Sequence, residues 1–226
     1  MTAPGAAGRT AVTVRALRVL GWTLITIGAV ILLYLAYALL FTNLATRSAQ
    51  ADLLEDWELE VGPPAVVPLP GEAQTDAPPA PAEAGEAVAV LEFARPGSAS
   101  PPVHAGPLFV VAGVGVQDLQ RGPGHYPGTA APGQPGNFAV AGHRTTYGAP
   151  FFNLDQLQSG DHVLVTDRGA VRYTYRVVQQ RIVGPADSWV IGPDPLGTGA
   201  PTLTLTTCHP RFSDRQRLVV FAERLA

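Results

Sequence analysis

Cys208 is the only cysteine in the chain, so no internal disulfide can form and its thiol stays free. It closes the run Thr202-Leu-Thr-Leu-Thr-Thr-Cys208 and is followed by His209 and Pro210. A lone thiol is either a small buried hydrophobe or a nucleophile, and its surroundings decide which. A thiolate attacks acyl carbon, a nearby cation favours the thiolate, and a guanidinium also supplies donors for a developing oxyanion. Three arginines follow, Arg211, Arg215 and Arg217, and only Arg217 opens an apolar run, Leu218-Val-Val-Phe-Ala222. Arg211 and Arg215 fall in the intervening loop and read as substrate-facing or solvated. Acyl transfer through sulfur also needs a proton donor for the leaving group, most often His. The five histidines are His104, His125, His143, His162 and His209. His209 adjoins Cys208, and neighbouring side chains in an extended chain point to opposite faces. His143 ends Phe138-Ala-Val-Ala-Gly-His143, a strand that stops at a glycine, and loop positions beside a rigid scaffold are where chemistry tends to sit. His143 therefore comes first, with His125 and His209 still open behind it.

The elements that must position these groups read as strands. Ala87–Phe93, Leu108–Val111, Asn137–Ala141, Asp161–Thr166, Val171–Val183, Thr202–Thr207 and Leu218–Ala222 are short runs rich in Val, Leu, Thr and Tyr, bounded by Gly and Pro. Asp167-Arg-Gly-Ala170 suits a hairpin turn, and Val171, Tyr173, Tyr175 and Val177 alternate with polar residues as on a half-buried strand. Short helical turns are expected near Gln117–Gly122 and Phe151–Leu157. About seven strands with Gly/Pro turns predict a mostly β domain over residues 86–226, a closed barrel or a sandwich. The strand into Cys208 stops at Pro210, which cannot continue a central strand, and the next begins at Arg217. So short a connection predicts antiparallel neighbours, with Cys208 and Arg217 at the same rim.

Residues 19–46 carry no charge, and Trp22–Phe41 is an apolar run of the ~20 residues that a bilayer core requires. Arg9, Arg15 and Arg18 precede it with no acid, whereas Asp52, Glu55, Asp56, Glu58 and Glu60 follow. This asymmetry predicts a cytoplasmic N-terminus over 1–18, a single-pass signal-anchor over 19–42 and an extracytoplasmic remainder. A cleaved signal peptide is the alternative, but its apolar core runs ~7–15 residues. Residues 43–85 are expected as a linker. Within it, 47–62 suit a short helix lying on the membrane or on the domain, and 63–85 hold seven prolines that forbid packed helix or central strand. With a net charge of −3 and 15% charged residues, the chain lacks a basic face for nucleic acid. The acidic residues form no recognisable metal-ligand cluster, so neither metal nor cofactor is expected.

Ala141-Gly-His-Arg-Thr145, Leu205-Thr-Thr-Cys208 and Arg217-Leu-Val-Val-Phe221 resemble the three signatures of sortases, in their order His, Cys, Arg. Arg121-Gly-Pro-Gly-His-Tyr-Pro-Gly-Thr129 followed by Gly136–His143 is similar to class E sortases of actinobacteria. The resemblance spans about residues 86–226. It implies an eight-stranded closed barrel, Cys208 as nucleophile, His143 as acid/base and Arg217 as holder of the substrate carbonyl and oxyanion. It also implies secreted substrate proteins with a Leu-Ala-x-Thr-Gly or Leu-Pro-x-Thr-Gly sorting signal, cut between Thr and Gly, and a peptidoglycan amine as acceptor. Arg95-Pro-Gly-Ser-Ala-Ser-Pro-Pro-Val-His-Ala-Gly106 departs from the family's short connection, which leads to the expectation of rearranged early strands. Two rivals stand beside this reading: a thiol hydrolase using the same site with water, and a non-catalytic binding module on a stalk. No Gly-x-Ser-x-Gly nucleophile or phosphate loop points to another enzyme class.

Overall fold

Eight strands close into one barrel in the order β1-β2-β3-β4-β7-β8-β6-β5. The computed structural model describes residues 6–62, 82–83 and 85–225, and side chains outside 6–13 and 38–41. The proline-rich spacer expected over 63–85 therefore lies almost wholly outside the described residues. The strands are β1 Ala87–Ala94, β2 Leu108–Ala112, β3 Gly124–His125, β4 Asn137–Ala141, β5 His162–Asp167, β6 Arg172–Val183, β7 Thr202–His209 and β8 Gln216–Arg224. Seven match the runs expected from alternation. The eighth, β3, holds two residues between Pro123 and Pro127, too short to show any period. Helix α2, Val116–Arg121, bridges the parallel pair β2–β3, as a parallel crossover demands.

The early strands are not rearranged. β1 pairs antiparallel with β2, Leu91 opposite Leu108, despite the long connection between them. That connection is tied down at its start, where Arg95 grips the buried Asp161 carboxylate through two hydrogen bonds of 2.8 and 2.7 Å. The Asp167–Ala170 turn is present as read. Asp167 Oδ1 accepts from the Gly169 and Val171 amides, the local bonding that favours Asp in turns.

Phe93, Phe138, Val140, Phe151, Tyr175, Leu203, Leu205, Leu218 and Val220 fill the barrel. Because side chains alternate across a strand, the residues between them on β4, β7 and β8 face outward. Much of that outer face is not solvated. Thr202, Thr204 and Thr206 are buried, and Val219 and Phe221 pack with Val190 beneath the β6–β7 connection. Asn137 anchors this connection, donating to Val190 O and Gly192 O at 3.3 and 2.9 Å while accepting from the Thr204 hydroxyl at 2.8 Å.

Helix α1 runs Ala6–Glu60. It is the one helix among the described residues long and apolar enough to cross a membrane, with Leu24, Ile25, Ile31, Leu32 and Leu33 all exposed. The chain divides into two units between Phe41 and Thr42. Residues 43–60 of the stretch read as linker are thus helical and, with Thr42, belong to the barrel unit. Leu53 and Trp57 are buried in a cluster with Ala87, Val90, Phe109 and Val111, and Trp57 meets Phe109 edge to face at 6.1 Å. Burying two side chains of that size contributes roughly 1.5–3 kcal/mol each, ample reason for a short amphipathic segment to dock. Of the two positions open to a helix here, on the membrane or on the domain, it takes the second.

Candidate active site

The backbone brings the three sequence-derived residues level with one another. β4 and β7 run parallel in one register, from Asn137 beside Thr202 to Ala141 beside Thr206. Two residues beyond the last pair stand His143 on one chain and Cys208 on the other. On the far side of β7, antiparallel pairing sets Cys208 directly opposite Arg217, which puts their side chains on one face. By alternation with the interior residues Val140, Leu205 and Leu218, that face is the outer one. The site therefore lies at the barrel rim on its outer surface. The Cys208 thiol is free and half-buried.

A glycine makes the turn into His143 possible. A Cβ on Gly142 would stand 2.5 Å from Cδ2 of the Phe151 ring, so only glycine lets that ring close over the end of β4. Backbone bonds then fix the loop: Gly142 N donates to Thr206 O at 3.0 Å and Phe151 N to His143 O at 3.1 Å. The Thr207 hydroxyl donates to Gly142 O at 2.7 Å, linking the residue before His143 to the residue before Cys208. The His143 ring lies against Tyr147, centroids 4.9 Å apart, with Nδ1 3.4 Å from the Thr146 hydroxyl. Burial pushes the imidazole below its ordinary range, so the neutral ring dominates at neutral pH.

Arg217 Nη1 donates to Asp214 O at 2.7 Å and Gln216 O at 3.0 Å. Its Nε and Nη2 make no hydrogen bond among the described residues, leaving donors for a ligand carbonyl. Arg217 also lines a groove together with Tyr126, Gly184, Asp187, Ile191 and Thr206. The β6–β7 connection walls this groove, and the Tyr126 hydroxyl lies 3.1 Å from the Thr206 hydroxyl on the barrel side.

Three of the other four histidines are employed elsewhere. His125 is held by Ala130 O and Thr129 Oγ1 at 3.1 and 2.9 Å and lies against Phe138. Nδ1 of His209 faces Arg144 Nη1 at 2.9 Å, on the side of β7 away from Cys208. His104 bonds within its own loop, to Gly106.

A family model described as the sortase domain matches residues 102–225. This chain belongs to the sortase family. Class E sortases are among its relatives. It is 31% identical over 228 residues to SrtE2 of Streptomyces coelicolor, covering 94% of this chain and 83% of that protein. It is 29% identical over 236 residues to SrtE1 of the same organism, covering 97% of this chain but only 58% of that one. The solved sortase E of Streptomyces avermitilis is 37% identical, covering 64% of this chain and 91% of its own, with a TM-score of 0.53. SrtE1 has been solved with a tripeptide in its active site, at a TM-score of 0.53 and 28% identity, over 64% of this chain and 92% of that one.

In this sortase the loop arginine Arg211 is not simply solvated. It binds both oxygens of Asp155 at 2.9 and 3.2 Å and covers the Phe152 ring at 4.5 Å. Reading from residue types also overlooked Arg144. That side chain is almost fully buried and pairs with Asp155 at 3.2 Å, while its Nη1 donates to the carbonyl of Cys208 at 3.2 Å. An arginine that follows a histidine in a loop carries no periodic signal. Its burial arises because strands β4 and β7, far apart in sequence, end side by side.

Proposed function

We propose that this sortase is a membrane-anchored cysteine transpeptidase acting through Cys208, His143 and Arg217. The observation that carries the reading is the register of β4, β7 and β8, which sets a free thiol level with an imidazole on one side and a guanidinium on the other. The Cys208 thiol gives its proton to His143, and the sulfur attacks the carbonyl carbon of the scissile peptide bond. Arg217 donates to the resulting oxyanion. Collapse breaks the C–N bond, His143 protonates the departing amine, and a thioacyl-enzyme remains. An incoming amine then attacks the thioester, loses its proton to His143, and expels the sulfur as thiolate.

The groove lined by Arg217 suits a peptide, and the tripeptide in the active site of SrtE1 points to the same ligand class. The substrate is a secreted protein with a C-terminal Leu-Ala-x-Thr-Gly or Leu-Pro-x-Thr-Gly signal, cut between Thr and Gly, and the acceptor is an amine of peptidoglycan. The arginines before the apolar run and the acids after it favour a cytoplasmic N-terminus and an external catalytic unit.

The test is to incubate the full-length protein in detergent with each sorting peptide, with and without an amine acceptor, and follow products by mass spectrometry. A thioacyl adduct on Cys208, resolved to an amide when the amine is present, is expected, and Cys208→Ala should form none. No adduct with either peptide would sink the mechanism. Free acid as the sole product, at a rate indifferent to the amine, would make the protein a hydrolase.

A further inference from the structure

The loop that carries His143 is held from outside the barrel. Gly148 N donates to Asn43 Oδ1 at 2.9 Å. Gly148 adopts a positive φ of 73°, and a Cβ there would stand 3.1 Å from Thr46 Cγ2, so the helix approaches the loop backbone as closely as glycine allows. Thr46 is buried, and its hydroxyl lies 2.7 Å from Gln120 O. The Gln120 side-chain amide in turn donates to the Tyr147 hydroxyl at 3.3 Å. Two separate contacts thus converge on Tyr147 and Gly148, and Tyr147 is the residue whose ring lies on His143. Tyr147 itself has a positive φ of 50°, a conformation that a non-glycine residue keeps only when its surroundings impose it.

The same helical segment is firmly seated along the rest of its length. The Gln50 side chain donates to Phe109 O and Arg121 O and accepts from Phe109 N, all between 2.9 and 3.0 Å. Leu53 and Trp57 are buried beyond it. A rigid element therefore meets a strained loop at the one place where the loop covers the imidazole.

We propose that the Thr42–Glu60 segment of α1 is a brace for the catalytic loop, with Asn43 and Thr46 as positioning residues that set His143 through Tyr147 and Gly148. The proposal rests on the reading of His143 as the acid/base. The brace lies outside the 102–225 stretch that matches the sortase domain, so the functional catalytic unit of this protein begins at Thr42 and not at the first strand. Without these contacts Tyr147 loses its external support. The imidazole then gains freedom and water, which lowers the fraction of time it spends in line with Cys208 and relieves the burial that depresses its proton affinity.

The experiment uses the full-length protein and the variants Asn43→Ala, Thr46→Val, the double variant, Thr46→Ser and His143→Ala. In the double variant kcat is expected to fall about 10-fold with KM within about twofold, because positioning of the acid/base is lost while the groove stays intact. The acid limb of the kcat/KM pH profile should move upward toward the ordinary histidine value of about 6.5. Thr46→Ser keeps the hydroxyl and should retain kcat. If the double variant melts lower but keeps its kcat and pH profile, the segment is only a structural clamp and the proposal is wrong. A fall in kcat with an unmoved acid limb also overturns it. Turnover by His143→Ala would remove the acid/base reading and the brace together. An inactive His143→Ala beside an unaltered double variant removes the brace alone.

Discussion

Arg144→Met is the most informative single substitution behind Cys208. The Arg144 side chain is 2% exposed and its Asp155 partner 33%, so the cation is dry while its counter-ion still reaches water. Methionine keeps the apolar length of the chain and removes three polar contacts: with Cys208 O, with His209 Nδ1 and with Asp155. A hydrogen bond to a charged group contributes about 1.5–3 kcal/mol, but water can reach the half-buried acceptors left behind, so the net cost is about 3 kcal/mol. For a unit of this size that corresponds to a fall in Tm of about 6–12 °C. Because Arg144 holds the backbone carbonyl of Cys208, the proposed nucleophile, kcat should fall more than KM rises. Asp155→Asn strands the buried cation and also breaks the half-exposed Arg211 pair, so it should cost at least about 1 kcal/mol in the native protein and less in the Arg144→Met background, where only the Arg211 pair remains to be lost. Thermal unfolding followed by circular dichroism, with peptide turnover alongside, reads both effects. An Arg144→Met protein that melts within about 2 °C of the parent and turns over normally would refute the reasoning, as would an Asp155→Asn cost equal in both backgrounds.

Three further outcomes are expected. Gly142→Ala puts a methyl 2.5 Å from the Phe151 ring, and the forced shift should cost about 1–3 kcal/mol by thermal melt and displace His143, with turnover lost more steeply than stability. Arg217→Lys keeps the charge but not the planar fork, so kcat should fall about 100-fold with the unfolding transition unchanged, and wild-type turnover by the lysine variant would exclude a donor role. The folded-state pKa of His143 is depressed by burial, so the pair with Cys208 takes up its second, inactivating proton only below the ordinary histidine value of about 6.5. A kcat/KM profile whose acid limb lies at or above that value would contradict this. His125 is depressed in the same direction by burial, so both rings favour the folded state fully above the unfolded histidine value. That contribution is lost as pH falls through their folded values, and urea midpoints measured between pH 7 and pH 5 should decline.

Most of the barrel was legible because its strands bury one face and their residues alternate. Leu203 and Leu205 face inward between Thr202, Thr204 and Thr206, and that period appears in the sequence. The antiparallel turn after Cys208 was legible for a similar local reason, a strand stopped by Pro210 and another beginning near Arg217, and the register of the pair follows the short connection. β3 was not legible, since two residues carry no period. The docking of Thr42–Glu60 was only half legible. Its helical spacing of Leu53 and Trp57 shows in the sequence, but the choice between membrane and barrel depends on the apolar patch of Phe109 and Val111, more than fifty residues away.

The sequence by itself determined the chemical types at this site: one free thiol, a guanidinium opening the next strand, an apolar span and a charge asymmetry around it. These are local properties, set by neighbours within a few residues. The choice among five histidines is different, because residue types alone leave His125 and His209 beside His143. Only the parallel pairing of β4 with β7 sets His143 level with Cys208, and parallel strands are joined through distant chain whose length fixes no register. Burial of Arg144 behind Cys208 and contact of Asn43 with the loop that carries His143 likewise arise from segments that meet only when the barrel closes. Which groups can react was written in the sequence, and which of them meet was decided by long-range strand pairing.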